Sequence, residues 1–291
     1  MIEIHSCPVC GAAEWQFIFT VPDHSISKEE FRIKKCTACS FMVTSPRPDE
    51  DKLGQYYKSE NYISHSGKGN SVVNLLYLQA RKYSLNWKLN LIKQLKPEGS
   101  LLDVGCGTGE FLSTIKANGF SVDGVELDES ARARASQLIG QPITPSLKEA
   151  NGSYDLITLW HVLEHLPELN ESIEKINSLL KTDGKLLIAV PNHTSNDAQH
   201  YQQHWAGYDV PRHLWHFNKT SMATLLHGHG FAIEKIIPMK LDAFYVSMLS
   251  EKYLGNAGIS SLIKGFVSGV RSNMKAKATG ECSSLIYIAR K

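Results

Sequence analysis

The chain has 291 residues, 42% of them apolar and 21% charged, which suits one large domain with a small appendage and excludes wholesale disorder. Lys and Arg number 31 against 29 Asp and Glu, a net charge of +2 with neutral histidine that argues against a dedicated nucleic-acid binder. No stretch approaches the ~20 consecutive apolar residues of a membrane span, and Met1 to Cys7 lacks the regions of a secretory signal, so a cytoplasmic location is expected.

Four of the six cysteines fall in the first 39 residues, as two C-x2-C pairs: Cys7 with Cys10, and Cys36 with Cys39. A two-residue gap lets a tight turn aim both thiolates at one ion, and four sulfurs satisfy tetrahedral zinc. With every position filled by sulfur, the zinc would be structural rather than catalytic. Gly11 follows the first pair, where a positive φ turns backbone amides toward the sulfurs; Ser40 stands at the equivalent place in the second, so that knuckle is expected to be less ideal. Free thiols are the alternative, and a redox pair would be expected beside a βαβ unit, which is not the setting here. Between the pairs lie β-prone runs at Trp15 to Phe19 and Phe31 to Ile33. Residues 1–45 thus read as a zinc ribbon and 46–96 as a connector with N-terminal helices. The connector opens with Ser45-Pro46-Arg47-Pro48 and carries Tyr56-Tyr57 and Tyr62-Ile63-Ser64-His65.

Apolar residues recur at helical spacing from Ser71 to Leu95. A buried strand then runs into Asp103-Val104-Gly105-Cys106-Gly107-Thr108-Gly109 and a helix, where glycines permit a sharp turn and let a ligand lie against bare backbone. The next strand, from Ser121, ends in Glu126, an acid placed to accept from both hydroxyls of a ribose. The pattern is neither the dinucleotide G-x-G-x-x-G nor a P-loop, and Asp103 suits an ammonium group better than a phosphate.

Tyr154 to Trp160 reads as a buried strand and is followed by His161-Val162-Leu163-Glu164-His165. As a text pattern this is H-x-x-E-H, but zinc-protease chemistry needs both histidines on a stable helix, and Pro167 follows at once. Gly184 to Val190 is a fifth strand. After it comes a stretch dense in polar aromatics, His200 to Phe217, with five histidines between 193 and 216. A long loop at a sheet's carboxyl edge, rich in Trp, Tyr, Arg and His, is built to enclose a polar ligand; a packed loop with backbone-bonded histidines is the alternative. A helix over Asn218 to Gly230, a strand over Ala232 to Met239 and a last strand over Ser283 to Ala289 complete the chain. Leu241 to about Met274 has helical apolar spacing broken by Gly255, Gly258, Gly265 and Gly269. That segment would roof a pocket, pair subunits or lie on lipid, and its glycines count against the last.

The ordered set of Asp103 to Gly109, Glu126-Leu127 and Tyr154 to His165 resembles class I S-adenosylmethionine (SAM) dependent methyltransferases. The cysteine pairs, Pro-Arg-Pro and Tyr-Tyr resemble the subgroup with an N-terminal zinc ribbon. The resemblance implies a Rossmann-like, seven-stranded, mostly parallel sheet with its last strand antiparallel, over residues 97–291, with an acceptor loop inserted at 193–219 and helices at 241–278. It implies that Gly105 and Gly107 cradle SAM, with Cys106 and Gly109 in the same loop, that Asp103 assists its amino group, that Glu126 holds the ribose and that Leu127 packs on adenine. Trp160 and His161 would line the same site. The family's third-strand contact maps to Ser146 and Leu147, where Pro142 and Pro145 interrupt the strand. His161, His165 and His213 are the candidates for acceptor chemistry, with Arg212 expected to pair with an anionic acceptor. Similarity to quinone-pathway enzymes leaves open a divalent ion at His161, Glu164 and His165. The expected acceptor is a small molecule or a glycan or lipid precursor, methylated at oxygen or carbon. An RNA-modifying enzyme that grips nucleic acid by the ribbon, and a non-catalytic SAM-binding scaffold, remain open alternatives.

Overall fold

A computed structural model of the chain describes residues 1–57 and 72–291; Tyr62 to His65 lie outside the described residues. These fall into two compact units, one within Met1–Lys58, His161–Asn170 and Ile188–Ala289, the other within Ser59–Trp160, Glu171–Leu187 and Arg290–Lys291. Six strands form one sheet in the order β5-β4-β6-β7-β10-β9: β4 (Ser100–Val104), β5 (Ser121–Val125), β6 (Tyr154–Trp160), β7 (Leu180–Pro191), β9 (Ala232–Pro238) and β10 (Ser284–Arg290). β4 pairs in parallel with β5 and with β6. β6 is a near-continuous apolar run with its first six residues buried, the pattern of a central strand covered on both faces.

The expected seventh strand is missing among the described residues. Its remnant is a single parallel bridge, Val125 to Thr144, flanked by the prolines at 142 and 145 that cannot donate to a ladder. Beyond it, Leu147–Glu149 forms one 3-10 turn, with the Ser146 hydroxyl donating to Glu149 at 2.7 Å.

Helices α2 (Val72–Leu95), α3 (Glu110–Lys116) and α4 (Glu129–Ile139) alternate with strands β4 to β6, and α5 (Leu169–Leu179) lies between β6 and β7 in the chain. Asp128 caps α4 by accepting from the Ala131 N–H, and Gly140 ends it in the left-handed conformation.

The other unit carries the ribbon. β1 (Trp15–Pro22), β2 (Glu30–Cys36) and β3 (Met42–Thr44) pair antiparallel, and β3 pairs onward with β8 (Trp215–His216). The ribbon therefore shares its sheet with the loop after β7. It shares a core as well: Phe31, Ile33 and Met42 pack in one cluster with Tyr201, Trp205 and Tyr208. Helices α1 (Glu50–Leu53), α6 (Asn196–Tyr201), α7 (Lys219–Gly228), α8 (Asp242–Tyr253) and α9 (Gly258–Thr279) belong to this unit. Gly255 and Gly258 break the predicted helical segment, whereas Gly265 and Gly269 lie inside α9 without interrupting it.

Candidate active site

β4 delivers the chain to the glycine loop. Gly105, Gly107 and Gly109 all have positive φ, at 73°, 56° and 85°. A Cβ on Gly109 would lie 3.0 Å from the Ala135 Cα, so helix–helix approach requires glycine there, whereas one on Gly107 would meet nothing within 4 Å. The Gly107 N–H donates to Glu126 at 2.8 Å, and the Asp128 N–H donates to its other oxygen at 2.9 Å. Two backbone donors thus fix the carboxylate at the end of β5. Leu127, next to it, is 83% exposed, an apolar side chain presented rather than packed. Asp103 is buried and accepts from the Thr158 hydroxyl at 2.6 Å; burial pushes its carboxyl up to about 7. The Cys106 thiol is buried as well, and burial raises its pKa.

Trp160 ends β6 with its indole N–H buried and without a partner among the described residues. Lys88 of α2 lies 4.1 Å over the Trp160 ring. Neither Lys88 nor Thr158 was singled out from the sequence; a lysine amid helical spacing carries no local mark of it. A bare loop, an oriented acid and an exposed leucine fit a nucleoside with a short charged chain.

His161 follows Trp160 directly and takes a positive φ of 58°, its N–H donating to the Ala189 carbonyl at 2.9 Å. Its Nε2 lies 2.9 Å from Asp242 and its Nδ1 3.3 Å from Glu164. Burial disfavours its charged form, but hydrogen bonds and charge from Asp242 and Glu164 outweigh that and hold its pKa near 10. At neutral pH His161 is an imidazolium clamped between two carboxylates, so it offers no lone pair to an acceptor. Asp242 lies 81 residues away, and nothing in the sequence linked the two.

Leu163–His165 is a 3-10 turn, so the H-x-x-E-H text is not a helical zinc motif. Glu164 is fully buried; one carboxylate oxygen faces His161 and the other has no partner among the described residues. His165 Nδ1 lies 3.0 Å from the Arg212 carbonyl and 3.0 Å from the Tyr57 hydroxyl. Burial, then the charge of His213, lower its pKa to about 4. His213 Nδ1 lies 2.8 Å from the Gly207 carbonyl, and its ring meets that of His165 edge to face at 4.6 Å. Because a carbonyl only accepts, each Nδ1 carries the proton in the neutral ring, leaving both Nε2 atoms as lone pairs. The trio that converges is Glu164, His165 and His213, with ligand atoms within 4.8 Å of one another. The expected ion set of His161, Glu164 and His165 is not the one brought together, since Asp242 and Glu164 engage His161.

Arg212 corrects a second expectation. It is 1% exposed, forked onto Asp209 at 2.7 and 2.9 Å, and bound to Asp23 at 3.0 Å and to the Tyr56 carbonyl at 3.0 Å. Every guanidinium nitrogen has a partner, so Arg212 is a buried strut and not an acceptor ligand. Asp23 in turn accepts from the backbone of Ser25, Ile26 and Ser27, and these bonds with Arg212 overcome burial to hold it near 2.

At the N-terminus the four cysteine sulfurs lie within 4.8 Å of one another, with Cys7 and Cys39 at 3.6 Å and Cys10 and Cys36 at 3.6 Å. Ligands at ~2.3 Å in a tetrahedron stand about 3.8 Å apart, so the set fits one ion. Gly11 and Ser40 occupy matching left-handed positions at 76° and 60°, each donating its N–H back to the first cysteine of its pair.

A family model described as a methyltransferase domain matches residues 77–236. The chain belongs to this methyltransferase family. Together with the glycine loop, this makes it a SAM-dependent methyltransferase. A putative methyltransferase of a Geobacillus strain is 26% identical to the methyltransferase over 235 residues, 70% of this chain and 91% of that one. A ubiquinone biosynthesis O-methyltransferase of Xanthomonas axonopodis is 33% identical over 112 residues, 35% of this chain and 47% of its own, so this chain spans about half the length of that relative. The solved magnesium protoporphyrin IX methyltransferase of Synechocystis aligns with a TM-score of 0.53 at 18% identity, over 84% of this chain and 100% of that one, a likeness of fold.

Proposed function

We propose that this methyltransferase methylates an oxygen or carbon of a small molecule, or of a glycan or lipid precursor, with His165 and His213 as its acid–base pair. Bound SAM supplies a methyl group already activated by sulfonium charge, which leaves the protein to align the acceptor and, where needed, take its proton. In this reading Glu126 holds the ribose, Leu127 covers the adenine, Gly105 and Gly107 pass beneath the methionyl chain, and Asp103 faces its ammonium. Gly109 keeps the loop close to α4. The four cysteines hold a structural zinc.

One observation carries the acid–base assignment: His165 and His213 each have Nδ1 at a backbone carbonyl, and the two rings converge with a carboxylate oxygen of buried Glu164, their ligand atoms within 4.8 Å of one another. An acceptor proton taken by either Nε2 creates an imidazolium next to Glu164, which stabilises it. His161 serves instead as a fixed cation that orients Glu164. The relatives' names support an O-methyl acceptor, and the near-neutral charge favours a small molecule over RNA.

The test is radiolabelled methyl transfer to a panel of phenols, sugar nucleotides and polyprenyl-linked sugars, with SAM affinity measured in parallel. His213→Ala and His165→Ala are expected to lower turnover by at least about tenfold and to leave SAM binding unchanged. A smaller loss in both would remove the assignment.

A further inference from the structure

The helix α9 has three distinct faces. Ser261, Gly265, Gly269, Ser272 and Ala276 are all buried. They form its packing stripe: a Cβ on Gly265 would lie 2.6 Å from the Met248 Cα, and one on Gly269 2.9 Å from the Phe244 Cα, both on α8. The glycines that look like helix breakers in the sequence are thus the contact that lets two backbones approach closely. At about 100° per residue, this stripe spans roughly 80° of the helix.

On the adjoining side Ile259, Leu262, Ile263, Phe266, Val267 and Met274 are 47–75% exposed, and together they cover an arc of about 140°. A contiguous apolar face of this width on a soluble unit marks an interaction site. Lys264, Arg271 and Lys275 occupy the remaining arc, next to the apolar one, and all three are exposed. Lys277 adds a fourth cation, which by the same spacing lies within the apolar arc at its C-terminal end, and Gly258–Thr279 contains no Asp or Glu.

We propose that α9 seats the enzyme on an anionic bilayer, with the apolar arc in the acyl boundary and the basic flank on the headgroups. The charge pattern selects this occupant. A second copy meeting through the same patch would bring together two helices that each carry four cations and no acid, whereas anionic lipid complements them. Among the described residues no helix is long and apolar enough to cross a membrane, so the mode is interfacial.

Sedimentation of the full chain with vesicles of equimolar phosphatidylglycerol and phosphatidylcholine tests this, against pure phosphatidylcholine and with light scattering on the free protein. Co-sedimentation with the mixed vesicles that weakens with added salt is expected. Phe266→Glu with Val267→Glu is expected to abolish it while circular dichroism and SAM affinity stay unchanged. The triple change Lys264→Gln, Arg271→Gln, Lys275→Gln keeps the apolar arc and is expected to lower vesicle affinity on the order of 100-fold. Failure of the wild type to bind, binding that survives the glutamates, or a dimer that dissociates on introducing them would each overturn the proposal.

Discussion

The clamp on His161 yields the sharpest test of the electrostatics. Asp242→Asn keeps shape and a hydrogen-bonding oxygen but removes one of the two charges that hold the imidazolium. Raising a histidine from 6.5 to about 10 corresponds, at about 1.36 kcal/mol per pH unit, to no more than ~5 kcal/mol. Two carboxylates share that effect, and the side chain of His161 is 34% exposed, so solvent screening reduces the part owed to Asp242 to ~2 kcal/mol. A group with a raised folded-state pKa contributes fully below its unfolded value and loses the contribution as pH rises through its folded value. The variant should therefore be less stable than wild type by ~2 kcal/mol at pH 6, with the gap closing as pH approaches about 10. Urea unfolding across that window measures the gap, and histidine-selective NMR reads the titration directly. A wild-type His161 that titrates near 6.5, or a destabilisation that does not change with pH, would refute the reasoning.

Glu126→Ala should weaken SAM and S-adenosylhomocysteine by about 1–3 kcal/mol in calorimetry, the cost of an unmade charged hydrogen bond. Gly109→Ala forces a left-handed alanine against the Ala135 backbone and should cost about 2–3 kcal/mol in chemical unfolding, with weaker cofactor binding. Metal analysis should return one zinc per chain, lost in Cys36→Ser. Stripping it should lower the melting temperature and turnover while SAM affinity holds.

Legibility followed sequence distance. The glycine loop, Glu126 and the buried run of β6 are local patterns whose chemistry sits within a few residues, and the structure places them at the ends of β4, β5 and β6. The turn at Gly11 was equally local, but Ser40, where a serine in place of glycine argues for a poorer knuckle, takes the matching left-handed turn. Misreadings arose where a partner lay far along the chain. Arg212 reads as a free cation until Asp23, 189 residues away, closes on it. His161 reads as a residue facing the cofactor or acceptor until Asp242 is seen beside it. In α9 a usable signal was present: small residues at 261, 265, 269, 272 and 276 recur at helical spacing, the mark of a packing stripe and not of broken helix. The third strand failed for a stated reason, two prolines around Thr144.

The ribbon's role follows from what it holds in place. Thr44, at the end of β3, donates its hydroxyl to the His213 carbonyl at 2.8 Å, and its N–H bonds the Leu214 carbonyl at 3.0 Å. The Leu214 N–H then bonds the Glu164 carbonyl at 2.8 Å, so one strand of the ribbon reaches both ends of the histidine cluster through two residues. Arg47, just past β3, donates to the Pro167 carbonyl at 3.0 Å and lies 4.7 Å over the Trp215 ring, whose N–H bonds the Leu166 carbonyl at 2.6 Å. Asn218 donates to the carbonyl of Ser40, within the second cysteine knuckle. The ribbon already shares a sheet and a core with the loop after β7, so an ion at the cysteines would steady the knuckle and, through β3, the backbone that carries His213. Acid–base geometry tolerates errors of only a fraction of an ångström. Under the proposed assignment the cysteines would act on His165 and His213 from a distance, as positioning residues, and the ribbon would need no nucleic-acid partner to account for its presence.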